Sequence, residues 1–144
     1  MLVLSLTTPV LVGIYEDNKL IEKSSSNDKK ASEFLIEALE YADKKYNIEE
    51  IIYTNGPGSF MGIKVSYIIL KTFTLAKNCH IYAVSGFDFN DNNPIKANKH
   101  FSFVLENSKI KLKKIEPVEL KLPNTLLNLN KSDDILPSYN IEAV

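Results

Sequence analysis

TNGPGSFMGIK, residues 54–64, places three of the chain's five glycines and a proline within the seven positions from Gly56 to Gly62. The apolar run EEIIYT leads into it and a long apolar stretch follows, so the segment reads as a strand-to-helix turn. Such a turn can cradle an anion, because the first N–H groups of a helix have no intrahelical partner. The familiar phosphate templates do not fit. Three residues separate Gly58 from Gly62 where a P-loop has four, and Ile63-Lys64-Val65 stands where Lys-Ser/Thr would follow. The dinucleotide fingerprint needs two residues before its last glycine, and this loop has three. What remains is geometry. Gly56 and Gly58 permit unusual φ, Pro57 stiffens the turn, Ser59 can cap the next helix, and Gly62 lets another backbone come close. On spacing alone the loop either turns a corner or holds an anion through Ser59, the amides around Gly58, and Lys64.

Outward from the loop the periodicities are distinct. Residues 2–6, 10–16 and 19–24 read as strands, with Asp17-Asn18 as a two-residue hairpin turn, giving an antiparallel meander. SSSND, 24–28, reads as a loop with helix-capping side chains. Ala31, Phe34, Leu35, Ala38, Leu39, Ala42 and Tyr46 then recur at three- and four-residue steps, predicting an amphipathic helix from Asp28 to about Tyr46. A short strand at Glu50–Thr54, a second helix from about Phe60 to Lys77, and a strand at 80–85 complete the order βββαβαβ. Residues 87–99, rich in Asn, Asp and Lys, read as a linker or exposed loop. HFSFVLE and KIKLKKIE flank Asn107-Ser108 as a hairpin with one buried face. The residues beyond read as irregular, with Pro123 and Pro137 limiting any helix. The expected organisation is an α/β unit over 1–90, with a mixed sheet and helices, and a smaller second part over 91–144.

The second helix carries little charge. Steps of 100° place Gly62, Ser66, Ile69, Phe73 and Ala76 on one face, suited to lie against a sheet. Lys64, Tyr67, Ile68, Lys71 and Leu75 fall on the other. Aromatic and aliphatic anchors between lysines suit a partner surface; the other reading is that the sheet or the C-terminal hairpin covers this face.

The bulk composition narrows the function classes. All 17 cations are lysine against 18 carboxylates, a net charge of −1, so the chain lacks both the bidentate arginine fork and a general pull on polyanions. Cys79 is the single cysteine, which excludes an intramolecular disulfide and a cysteine-cluster metal site. His80 follows it directly, and strand neighbours point to opposite faces, so the two do not form a catalytic pair. His100 reads as an edge residue and Asp133-Asp134 as a solvated turn. The N-terminal stretch lacks the basic region and cleavage site of a signal peptide, and no apolar run reaches membrane-spanning length. The chain reads as cytosolic.

The order βββαβαβ, with GPGSFMGIK between the fourth strand and the second helix, resembles the TsaB family, whose signature is approximately GPGSFTGxRxG. Gly56, Pro57, Gly58, Ser59, Phe60 and Gly62 match it; Met61, Lys64 and Ser66 replace Thr, Arg and Gly. ILPSYN, 135–140, is similar to a Pro-x-Tyr segment near the family's C-terminus. The resemblance covers about residues 1–90 and implies an actin- or hexokinase-like (ASKHA) fold. Where the family has Asp-Thr-Ser/Thr after the first strand, this chain has Ser5, Leu6, Thr7 and Thr8. Where its first helix often begins Glu-His-Ser-Glu, this chain has Lys30, Ala31, Ser32 and Glu33. The resemblance therefore implies a non-catalytic protein without metal or cofactor. It would be a scaffold for a TsaD-like catalytic homologue, alongside a TsaE-like ATPase, in forming threonylcarbamoyladenosine at position 37 of tRNA. In that setting tRNA is met only through the complex. The partner surface would be Tyr67, Ile68, Lys71 and Leu75 of the second helix with Phe34 and Tyr41 of the first. Two alternatives stay open at this point: a small nucleotide- or phosphate-binding enzyme using the Gly56–Gly62 loop, and a homodimeric regulator.

Overall fold

Two tight turns fix much of the strand pairing. Asp17 and Asn18 both have positive φ, as do Asn107 and Ser108, which is the backbone that a two-residue hairpin between right-twisted strands requires. The computed structural model describes residues 1–138; Tyr139 and Asn140 of the Pro-x-Tyr segment lie outside the described residues. Strands β1 (Leu2–Leu4), β2 (Val10–Glu16) and β3 (Lys19–Ser26) form the meander, followed by helix α1 (Ala31–Lys45), β4 (Glu50–Thr54), helix α2 (Phe60–Lys77) and β5 (His80–Val84). They build one mixed sheet in the order β3-β2-β1-β4-β5, with β1, β4 and β5 parallel. The expected βββαβαβ order and mixed α/β class hold.

The start of α1 differs from expectation. Ser24, Ser25 and Ser26 do not form a capping loop; they extend β3 against Val12, Leu11 and Val10. The helix begins at Ala31 with Lys30 at its cap, which makes no side-chain capping bond. Edge pairing with β2 satisfies this stretch of backbone and outweighs the turn preference of serine.

Strand alternation sends two apolar sets to opposite faces. Val3, Val12, Ile14, Ile51 and Tyr53 face the helices, packing with Phe34, Leu35, Leu39 and Leu70. Leu2, Leu4, Ile52 and Val84 face the other way, and the C-terminal part covers them. The stretch at 87–99 is not an exposed linker. A 3₁₀ turn at Gly86–Phe89 buries Phe87 and Phe89, and β6 (Ile95–Lys96) joins β7 (Ser102–Glu106) and β8 (Lys109–Lys113) in a second antiparallel sheet. Ile95, Phe103 and Leu120 share a core with Leu2 and Leu4. Asn90 anchors this junction: its side-chain amide donates to the carbonyls of Asn93, Pro94 and Val118 at 3.0–3.2 Å.

The irregular tail is a strap with a defined course. At the β3 edge, Thr125 bridges Lys19, while the Leu20 and Leu126 amides donate to the carbonyls of Asn124 and Asn18. Tyr15 donates its hydroxyl to the Pro123 carbonyl at 2.6 Å. Leu122, Leu126 and Leu129 pack on the second-face cluster. At the β5 edge, Ser132 and Ala83 exchange two backbone hydrogen bonds of 2.8 and 3.0 Å. Tyr53 then donates to the Ile135 carbonyl, and the Ser138 amide reaches the carbonyl of Asn55.

Candidate functional site

The glycine loop is pressed between three parts of the chain. Gly56 has φ of 145°, and a Cβ there would lie 2.5 Å from the Ser138 carbonyl oxygen of the strap. Its own carbonyl accepts from the Gly86 amide at 3.0 Å. A Cβ on Gly58 would meet the Leu6 backbone at 2.7–2.9 Å, and one on Gly62 would stand 2.6 Å from the Ser5 carbonyl oxygen. Ser59 caps α2 by accepting from the Gly62 amide, and its own amide donates to Leu6. The peptide bond before Pro57 is cis. One turn further, Ser66 donates to the buried hydroxyl of Ser5 at 2.6 Å. Gly58, Ser59 and Gly62 thus seat α2 against the residues that follow β1, Gly56 packs against the strap and Gly86, and Phe60 is exposed.

A cleft of about 570 Å³ opens beside this seat, lined by Ser5, Thr7, Ser59 and Gly62 with Lys30 and Lys96 at its rim. No carboxylate lines it. Lys64, the cation named for the anion reading, is exposed on α2 and does not line the cleft. Among the described residues no three His, Cys, Asp or Glu side chains gather where they could share an ion. Cys79 is half-buried, and burial pushes its thiol above the ordinary range.

The outward side of α2 differs from expectation in composition. Its buried line is Ile63, Ser66, Leu70 and Thr74 rather than the Gly62–Ala76 line. Ile69 and Phe73 are half-buried against the same cluster as α1. Tyr67 does not point away from the core; it is half-buried, its ring 6.3 Å from that of Tyr53. Phe34 is likewise inside the subunit and not a surface anchor. The helical spacing holds, but the inward face is turned from the expected one: Gly62 marks a contact with the residues after β1, not the centre of the buried line. Tyr41 is exposed but turned to the β3 side, where its hydroxyl donates to Glu22 at 2.9 Å and accepts from Lys45. Lys71 is half-buried.

Ile68 is 52% exposed and Leu75 70%, and Met61, also 70% exposed, lies seven residues before Ile68. Seven-residue steps return to nearly the same side of a helix, so Met61, Ile68 and Leu75 form one apolar line opposite the core. Met61 was legible only through that spacing. On α1, Ile36 is 45% exposed, one heptad before Asp43, which pairs with Lys77 of α2 at 3.0 Å. The apolar outer line thus belongs to α2; on α1, Ile36 is exposed among Glu33, Glu37, Glu40 and Asp43.

No family model and no curated protein sequence matches the chain. Solved structures do match. YeaZ from Pseudomonas aeruginosa superposes over 78% of this chain with a TM-score of 0.57 at 14% identity. The fold is that of YeaZ. A second structure, of an uncharacterized protein with similarity to peptidase YeaZ from the same organism, matches over 78% of the chain with a TM-score of 0.53 and 14% identity. YeaZ is the TsaB homologue, and its ASKHA-like fold accords with the resemblance carried by the glycine loop. This chain spans 62% of the length of each YeaZ-like protein. No helix among the described residues is long and apolar enough to cross a membrane.

Proposed function

We propose that the protein is a non-catalytic scaffold that docks, through the outer surface of α1 and α2, on a TsaD-like catalytic homologue in the formation of threonylcarbamoyladenosine on tRNA. The observation that carries this reading is the line of Met61, Ile68 and Leu75, apolar and directed away from the core on a YeaZ-like helix pair. Such a line suits the seam of a helix–helix interface, where anchors seven residues apart meet a facing helix. The chemistry of the cleft points the same way. Ser5 at the end of β1 supplies no charge to position a metal or a nucleophile, and a TsaE-like ATPase would bring nucleotide chemistry to the complex.

Light scattering behind a sizing column tests the reading, on this protein alone and mixed with its TsaD-like homologue. The expected result is a heterodimer that Ile68→Asp abolishes while the melting temperature of the monomer stays unchanged. A wild-type protein that ignores the homologue at micromolar concentration overturns the proposal. A dimer of this chain that persists in the homologue's presence favours the homodimeric regulator. Calorimetry showing tight ATP binding by the isolated protein favours the nucleotide-binding alternative.

A further inference from the structure

The charge of this chain is unevenly distributed. Residues 96–121 contain seven lysines and three glutamates, a local net of +4 in a chain whose total is −1. Topology concentrates that charge further. Lys109, Lys111 and Lys113 alternate along β8 with the half-buried Ile110 and Leu112, so all three lie on one face of a free edge strand. Alternate residues of a strand are about 6.7 Å apart, a regular row of ammonium groups on flexible stems. Glu106 of β7 pairs with Lys113, and Lys113 and Lys111 hold its carboxyl below the ordinary range, as expected in a positive field. Among the described residues no ion pair engages Lys109 or Lys111.

The row runs toward a cleft of about 500 Å³ at the end of the hairpin. Lys96, Lys99, His100, Phe101 and Lys114 line it, with Glu116 as its one carboxylate. Phe101 is half-buried, and the Lys114 ammonium stands 5.8 Å from its ring centre. Cations leading to an aromatic face are the two components of single-strand recognition: lysines follow the backbone and an aromatic ring stacks a base.

We propose that the outer face of β8 and the Phe101 cleft form a docking strip for single-stranded nucleic acid, held through its phosphates with one base against Phe101. Lysine suits this role as a point charge on phosphate; without arginine the strip lacks the bidentate fork most used on guanine, which favours backbone contacts over sequence readout. Lysines also guard exposed sheet edges against strand pairing. That function alone requires neither the lysines around the cleft nor the aromatic ring within it. The proposal does not depend on the scaffold reading, because it concerns this chain without a partner.

Fluorescence anisotropy of a short labelled single-stranded RNA, titrated with this protein alone, tests it. Three phosphate contacts on a single strand predict a salt slope of about −2, so affinity should fall roughly 20-fold between about 50 and 200 mM salt. Lys109→Gln with Lys111→Gln should weaken binding and flatten the slope by about 1.4. Phe101→Leu should weaken binding with the slope unchanged. Absence of binding at low salt, or binding that the lysine pair does not affect, overturns the proposal and leaves edge protection as the role of the row. Equal affinity for a duplex of the same length overturns the stacking role of Phe101.

Discussion

Gly58→Ala isolates the architectural role of the glycine loop. A methyl group at this position would stand 2.6 Å from the Leu6 Cβ, 2.7 Å from its carbonyl oxygen and 2.9 Å from its Cα. Two of those atoms are backbone at the end of the central strand, so no side-chain rotation relieves the clash. The loop must move away from β1, which strains or breaks the 3.0 Å hydrogen bond from the Ser59 amide to the Leu6 carbonyl. Overpacking of this kind costs about 1–3 kcal/mol. Losing one backbone hydrogen bond at a tight contact adds about 1 kcal/mol. The sum, roughly 2–4 kcal/mol, corresponds to a fall in melting temperature of about 6–15 °C for a chain of this size. Thermal denaturation followed by circular dichroism reads it directly. Gly62→Ala provides an internal comparison: its methyl meets the Ser5 carbonyl oxygen at 2.6 Å, but alanine also gains about 1 kcal/mol of helix propensity, so the loss should be smaller. If Gly58→Ala melts with the wild type, the loop does not seat α2 and the architectural account of the motif is wrong.

Asn90→Ala should destabilise by about 2–4 kcal/mol, because it removes the donors serving the Asn93, Pro94 and Val118 carbonyls; urea denaturation measures it, and a loss below 1 kcal/mol would show that water replaces the amide. Cys79 should alkylate more slowly with iodoacetamide at pH 8 than a free thiol peptide, since burial raises its pKa and lowers the thiolate fraction; an equal rate contradicts this. Burial pushes the Tyr15 hydroxyl from 10.0 up to about 12. Below pH 10 both folded and unfolded chains keep that proton; between pH 10 and 12 the unfolded chain releases it first, so stability falls as pH rises. Tyr15→Phe should remove that part of the decline in denaturation at pH 9 and 11, and an unchanged slope would place the loss elsewhere.

Much of the helix-bearing part was legible because each element carries its own local signal. Asp17-Asn18 and Asn107-Ser108 mark hairpins by residue chemistry, and α1 declares itself by the steps from Ala31 to Tyr46. The glycine motif located the β4–α2 junction to the residue. What could not be read depends on contacts between distant segments. Nothing local in SSSND says that its serines pair with β2, and nothing in FDFNDNNP says that Phe87 and Phe89 cover the far face of the sheet. The inward line of α2 was misjudged for a related reason. Glycine and serine identify close approach, whereas burial follows the centre of the sheet, which falls along Ile63 and Leu70. On the helices, the exposure of Ile68 and Leu75 is legible from spacing, whereas Met61 reads as part of the loop motif and Phe34, expected at the surface, is buried.

The strap ties late residues back to β2 and β4: Tyr15 bonds to Pro123 and Tyr53 to Ile135, separations of 108 and 82 residues. During synthesis on the ribosome, the sheet can form its five strands only with both margins bare and Leu2, Leu4, Ile52 and Val84 uncovered until residues 87–138 have emerged. Contacts this distant in sequence close slowly, and an open apolar face is exposed to aggregation meanwhile. Once the residues up to about 90 have emerged, the sheet therefore stands with an apolar face and two bare edges, and only the arrival of the second sheet and the strap closes them.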